Sequence, residues 1–220
     1  MKEPALDPMQ LSRLEVALHR GSANASEQLA KWLDRPVVIE LDALRLSPIA
    51  EATEMLTAGD DPICYCSMQM QGPIGGQMIL AFDDSSGREL ADLALAQPAG
   101  TTADWSELAM SAVLETTNIV CCAYLNALSD QFRRPNQNMS LVPSPPEFHR
   151  EYAQSLMQFA LRDQALEFDL VILAETTFTI EEKPVRWNLL FVPDASSLLR
   201  LGQWLGKRDT GVTDANSDEC

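Results

Sequence analysis

Apolar residues recur at helical spacing in two long stretches, Leu11 to Pro36 (LSRLEVALHRGSANASEQLAKWLDRP) and Leu108 to Pro135 (LAMSAVLETTNIVCCAYLNALSDQFRRP). A helix returns to the same face every three or four residues, so each stretch predicts one long helix, closed by a basic residue and a helix-stopping proline. The second should run from about Trp105 to Arg133, with Asp104 and Glu107 three residues on forming a capping-box-like start. Within it Val113, Ile119, Val120, Tyr124 and Leu128 suit a core. Ser111, Glu115 and Asn118, at i, i+4 and i+7, form one polar line through this otherwise apolar helix.

Between and after the helices the pattern changes to short apolar runs bounded by turn residues. PICYCSMQMQ and GPIGGQMILAFDD predict two strands joined at Gly72-Pro73, and SSGRELADLALA predicts a helix. FDLVILAETTFTI, KPVRWNLLFVPD and ASSLLRLGQWL read in the same order as strand, strand and helix. Val37 to Leu46 and Met139 to Val142 add strand content after the two long helices. His149 and Arg150 read as the surface start of a helix over YAQSLMQFAL.

The two halves resemble each other. Leu11 to Pro36 lies on Met110 to Pro135 with a constant shift of 99, which sets Ser12 on Ser111, Leu29 on Leu128, and Arg35-Pro36 on Arg134-Pro135. In MILAFDDSS and NLLFVPDASS a strand ends in Asp and Ser that can cap the next helix. The expected architecture is α+β: a pseudo-twofold duplicated domain whose long helices pack on an antiparallel sheet built from the hairpins of both halves. Residues 1–205 form the single domain, with half-repeats at about 11–97 and 104–205, and residues 206–220 form a disordered tail.

Composition narrows the functional classes. At 220 residues and 46 % hydrophobic content, the chain can bury a core of this size. No apolar run is read as approaching the ~20 residues that span a bilayer, and Met1 to Gln10 lacks the basic start and apolar core of a signal peptide, so a cytoplasmic protein without membrane contact is expected. Lys plus Arg number 16 against 32 for Asp plus Glu, a formal charge of −16 that argues against a nucleic-acid surface. Five cysteines, an odd count, fit reduced thiols better than a disulfide framework.

The line through Ser111, Glu115 and Asn118, followed by Pro143, Pro145 and Pro146, resembles the motif of the CheC/CheX/FliY family of bacterial chemotaxis phosphatases. The hairpin ETTFTIEEKPVRWNLLFVPD also looks like the family's second-half hairpin, so the resemblance covers Leu11 to Leu205. Family members dephosphorylate the phospho-aspartate of a CheY-type receiver. The resemblance therefore implies that Glu115 and Asn118 are catalytic, with Asn118 orienting water and Glu115 docking the receiver, and that Ser111 and Glu115 contact the partner. It further implies no cofactor on this chain, Mg2+ on the partner receiver, and a CheD-like or flagellar switch protein as a further candidate partner. A non-catalytic adaptor with the same fold is the alternative.

Two departures from the family pattern bear on this expectation. The shift of 99 sets Val16 on Glu115 and His19 on Asn118, so the first copy, with Ser12, Val16 and His19, is expected to be a degenerate site. Thr117 stands where the family often has glycine, and its bulk is expected to hinder close approach of a partner; the interval from Asn118 to Pro143 is also slightly long. Other candidates carry less. Cys64 and Cys66 fall on one strand face beside Met68 and Met70 and read as core; Cys121 and Cys122 read as one packed thiol and one lining the polar side; Gly75-Gly76 is too short to cradle a phosphate.

Overall fold

The computed structural model describes residues 6–56, 62–133, 140–152, 155, 170–180 and 183–206. The first helix, α1 (Pro8–Leu33), begins at a capping box in which Asp7 accepts from the Gln10 amide and Gln10 returns a bond to the Asp7 amide. It ends at Asp34, which takes the left-handed conformation, one residue before Arg35-Pro36. Then come β1 (Val37–Ser47), α2 (Ile49–Leu56), β2 (Ile63–Gln71), β3 (Gly76–Asp83) and α3 (Asp84–Ala94). The second half has α4 (Glu107–Phe132), β4 (Val142–Pro143), β5 (Glu147–Glu151), β6 (Val171–Ile180), β7 (Lys183–Pro193) and α5 (Ala195–Gly206).

The mixed α and antiparallel-β class expected from the sequence is the class observed. The seven strands form one antiparallel sheet in the order β1-β6-β7-β3-β2, with β4 and β5 both pairing with β2. Exchanging first-half strands for second-half ones leaves this order unchanged when it is read from the other edge. The two long helices show the same correspondence: both have 26 residues, and their first residues, Pro8 and Glu107, and last residues, Leu33 and Phe132, keep the shift of 99. Asp83 accepts from the Ser86 amide and Asp194 from the Ser197 amide, so each hairpin ends in the aspartate cap of the following helix.

One face of the sheet carries the main core, in which Cys64, Cys66, Met68, Met78 and Leu80 meet Leu14, Leu18 and Leu29 of α1 and Val113, Val120, Tyr124 and Leu128 of α4. The opposite face carries a smaller cluster of Ile63, Tyr65, Ile79, Ala81, Val171, Leu173, Leu190 and Val192 with Ala52 of α2. Burial on both faces explains the unbroken apolar runs in β2 and β6. Gly21 lets α1 approach α4: a Cβ there would lie 2.5 Å from Tyr124 Cδ1 and 3.0 Å from Tyr124 Cα. Beside it the buried Ser22 Oγ and Tyr124 hydroxyl share a 2.7 Å hydrogen bond. At the other end of α1, Arg13 donates to the Leu205 carbonyl and Gln10 Nε2 to the Gly202 carbonyl at 2.8 Å, which tie α5 to it.

Several expectations need correction. The N-cap of α4 is Ser106, whose side chain accepts from the Ala109 amide, so the helix starts two residues later than the Asp104–Glu107 pattern suggested. Asp104 stays exposed while Trp105 turns inward, packing on Phe148 and donating from its indole nitrogen to Asp84 at 2.8 Å. His149 and Arg150 start no helix; they belong to β5, paired with β2, where His149 stacks on Tyr65 with 4.7 Å between ring centroids. Met139, YAQSLMQFAL apart from Tyr152 and Ser155, and the tail from residue 207 lie outside the described residues. By length and composition, α4 is the one helix among the described residues long and apolar enough to cross a membrane, contrary to the sequence estimate. Most of its apolar side chains pack against α1 and the sheet, with Leu108 left exposed.

The entry to α4 is held by buried Asp92, whose carboxylate accepts from the backbone amides of Gly100, Thr101 and Thr102 at 2.7, 3.0 and 2.8 Å. Burial alone would raise this carboxyl, but the hydrogen bonds from Thr102, Gly100 and Thr101 outweigh it and hold the group below the ordinary carboxylate range. Asp84 makes the second clamp there, accepting from Arg150 Nε at 2.7 Å and pairing with Arg88 at 2.7 Å. Together these fix the loop that leads into α4 and tie edge strand β5 to the first turn of α3.

Candidate functional site

Ser111, Glu115 and Asn118 occupy the outward line of α4 that the spacing predicts: Ser111 and Glu115 are exposed and Asn118 is half-buried. The line continues to exposed Leu108 at one end and half-buried Cys122 at the other. The residues between them hold the helix in place. Thr116 and Thr117 are fully buried and their hydroxyls donate to the carbonyls of Ala112 and Val113, each at 2.9 Å. A partner meeting Glu115 and Asn118 therefore meets side chains on a helix anchored to the core one residue away.

Thr117 does not face that partner. Its side chain points into the core, within hydrogen-bonding reach of the Cys66 thiol, which burial pushes up to about 12. The expected hindrance at this position is therefore absent, because the peptide before Asn118 turns its Cβ toward β2 and away from solvent. Pro143 lies in β4 opposite Met70, so the slightly longer interval after Asn118 ends in an edge strand paired with β2.

Among the described residues Glu115 has no hydrogen-bond or ion-pair partner, which leaves its carboxylate free for an incoming cation. Asn118 is held from one side: the Cys122 thiol donates to its Oδ1 at 3.6 Å. Burial, and after it the charge of Glu115, raise the Cys122 thiol above the ordinary range, so it stays protonated. Cys121, fully buried, is raised further by burial and takes no part in this surface. Among the described residues no group of three or more His, Cys, Asp and Glu side chains could hold a metal ion.

The corresponding line on α1 is also exposed, but its chemistry differs. Ser12 and His19 face solvent and Val16 is 52 % exposed, so the face is free while the carboxylate and amide are missing.

No protein-family model matches the chain. The CheY-P phosphatase CheC of Bacillus subtilis (strain 168) is 21 % identical over 190 residues, covering 84 % of this chain and 88 % of CheC. The fold is that of Thermotoga maritima FliY, with a TM-score of 0.74 at 16 % identity over 91 % of this chain and 98 % of FliY. The chain is thus similar in sequence to CheC and in fold to FliY, both of the CheC/CheX/FliY family. The same fold occurs in the FliG–FliM complex from H. pylori, with a TM-score of 0.63 at 14 % identity over 88 % of this chain and 99 % of the matched one.

Sequence reasoning placed Ser111, Glu115 and Asn118 together on one face, as they stand in the structure. It missed the contact between Cys122 and Asn118, although i and i+4 spacing is the signal that would have found it.

Proposed function

We propose that this chain hydrolyses the phospho-aspartate of a CheY-type receiver through one site on α4, formed by Glu115 and Asn118, with α1 carrying an inactive counterpart. The observation that carries this reading is the pairing of an exposed carboxylate, without a partner among the described residues, with a half-buried, oriented amide on one face of a helix anchored by Thr116 and Thr117. Likeness to CheC over most of both chains supports it.

An aspartyl phosphate is an activated acyl phosphate, so the helper has mainly to bring water in line with the bond to be broken. Water attacks phosphorus, the bond between phosphorus and the acyl oxygen breaks, and the products are inorganic phosphate and the free carboxylate of the receiver. Asn118 suits the task because Oδ1 accepts from the attacking water while Nδ2 donates to the phosphoryl group. Glu115 makes a charge-assisted contact with a receiver lysine and thereby docks the helix; Ser111, one turn away, adds a polar contact at the rim. The Mg2+ that neutralises the phosphoryl charge is the receiver's own.

Decay of a phosphorylated receiver with and without the chain tests this directly. Asn118→Ala is expected to lower the added decay rate by about 10²-fold, the size of effect found when one preorganised polar group is removed from a transition-state site, while binding persists. Unchanged decay in the presence of demonstrable binding contradicts hydrolysis. It favours the second reading, a non-catalytic adaptor for a receiver, a flagellar switch protein or a CheD-like partner, which the fold shared with FliM supports.

A further inference from the structure

Cys122 stands one helical turn beyond Asn118 and is only half-buried, whereas Cys64, Cys66 and Cys121 are buried. Side chains on a helix lean toward its N-terminus, so Cys122 covers the turn that carries Asn118. The result is the 3.6 Å contact in which Sγ–H donates to Oδ1. An asparagine carboxamide turns within a broad, roughly two-fold torsional well. Left alone on an open helix face, Asn118 would spread its oxygen and nitrogen over many directions.

We propose that Cys122 is a positioning residue for Asn118, holding the carboxamide so that Nδ2 and the second lone pair of Oδ1 face the partner; this rests on Asn118 as the water-orienting group. The thiol occupies one of two lone pairs on Oδ1 and leaves the other for water. The planar group then presents Nδ2 from its opposite edge. Protonation is what makes the contact work: a thiolate facing Oδ1 would set acceptor against acceptor and turn the amide over. Glu115 contributes to keeping the thiol neutral, so the two functional side chains are coupled through Cys122. On α1 the shift of 99 places Ala23 at the equivalent position, which has no donor at all.

Two readouts on the full chain test the proposal. In steady-state dephosphorylation of a phosphorylated receiver, Cys122→Ala should lower kcat by about three- to tenfold, the range of one lost hydrogen bond, with KM unchanged. Cys122→Ser, which restores a donor, should recover at least half of the loss. Independently of any turnover, the two side-chain amide resonances of Asn118, assigned by their disappearance in Asn118→Ala, should shift and draw together in Cys122→Ala. Resonances that stay in place in Cys122→Ala overturn the proposal, as does a kcat deficit that serine does not recover. A wild-type chain that binds receiver without accelerating decay removes the catalytic reading of Asn118, and the amide resonances still decide whether Cys122 holds that side chain.

Discussion

The outward lines of α1 and α4 occupy matching positions on two helices of equal length. Both lie on 26-residue helices related by the shift of 99, and both start on an exposed apolar residue, Met9 in one and Leu108 in the other. Ser12 matches Ser111 and both are exposed. The lines then part: Val16 against Glu115, His19 against Asn118, Ala23 against Cys122. Because Val16 is as open to solvent as its position demands, nothing in the packing requires a carboxylate at Glu115. The fold asks only that these positions face outward, so the pair on α4 can be changed without touching the core.

The largest effect should come from reversing charge on the α4 line. Glu115→Lys puts a cation where a receiver lysine is to dock, and both binding and accelerated decay should fall by at least about 10²-fold, since like charges at an interface cost several kcal/mol. Titration of the receiver against the variant checks this, and unaltered affinity would show that Glu115 is no more than a solvated residue like its counterpart Val16.

Next in size is the clamp at the entry to α4. Asp92→Ala removes three hydrogen bonds to a buried carboxylate and should cost about 2–3 kcal/mol in denaturant unfolding. Hydrogen exchange should loosen residues 100–102 and the first turn of α4 while the capping box at Asp7 and Gln10 keeps α1 protected. The native carboxyl is held below its unfolded value of about 3.9. Its stabilisation is therefore complete above that pH and is lost as pH falls through the lower native value. Acid unfolding of Asp92→Ala should lack that part of the limb.

Gly21→Ala tests the contact between the two helices. A methyl group 2.5 Å from Tyr124 must push the ring or the helices apart, at about 1–3 kcal/mol of stability measured by thermal or urea unfolding. Activity per folded molecule should change little, because the clash lies on the inner side of both helices. The smallest effect sharpens the comparison: Val16→Glu with His19→Asn writes the α4 pair onto α1 and should raise turnover per chain by no more than about twofold, the ceiling set by two sites in place of one. Adding Ala23→Cys should move the gain toward that ceiling.

Much of this was legible in the chain. The long helices follow from 3.6-residue periodicity and the hairpins from apolar runs around turn residues, so their bounds differ from expectation by a few residues only. β5 was not legible: EFHRE is an edge strand with little apolar alternation, and its strand character comes from pairing with β2. The short helix α2 follows Pro48, and its eight residues, about two turns, are too few to show a clear period. DWSE contains two capping residues, and the inward turn of Trp105 decides for Ser106. At the site the spacing gave the line of Ser111, Glu115 and Asn118. The inward orientation of Thr117 and the hold of Cys122 on Asn118 depend on which side the sheet covers, and that is set only in three dimensions.

One site on α4 and none on α1 is the central claim, and a paired assay tests it most directly. Decay of a phosphorylated receiver is measured with wild-type chain, Asn118→Ala and His19→Ala at equal concentration, each with its receiver affinity determined alongside. Loss of acceleration in Asn118→Ala, full acceleration in His19→Ala and retained binding in both are the predicted result. Full acceleration in Asn118→Ala, or a loss in His19→Ala that matches it, would contradict the claim.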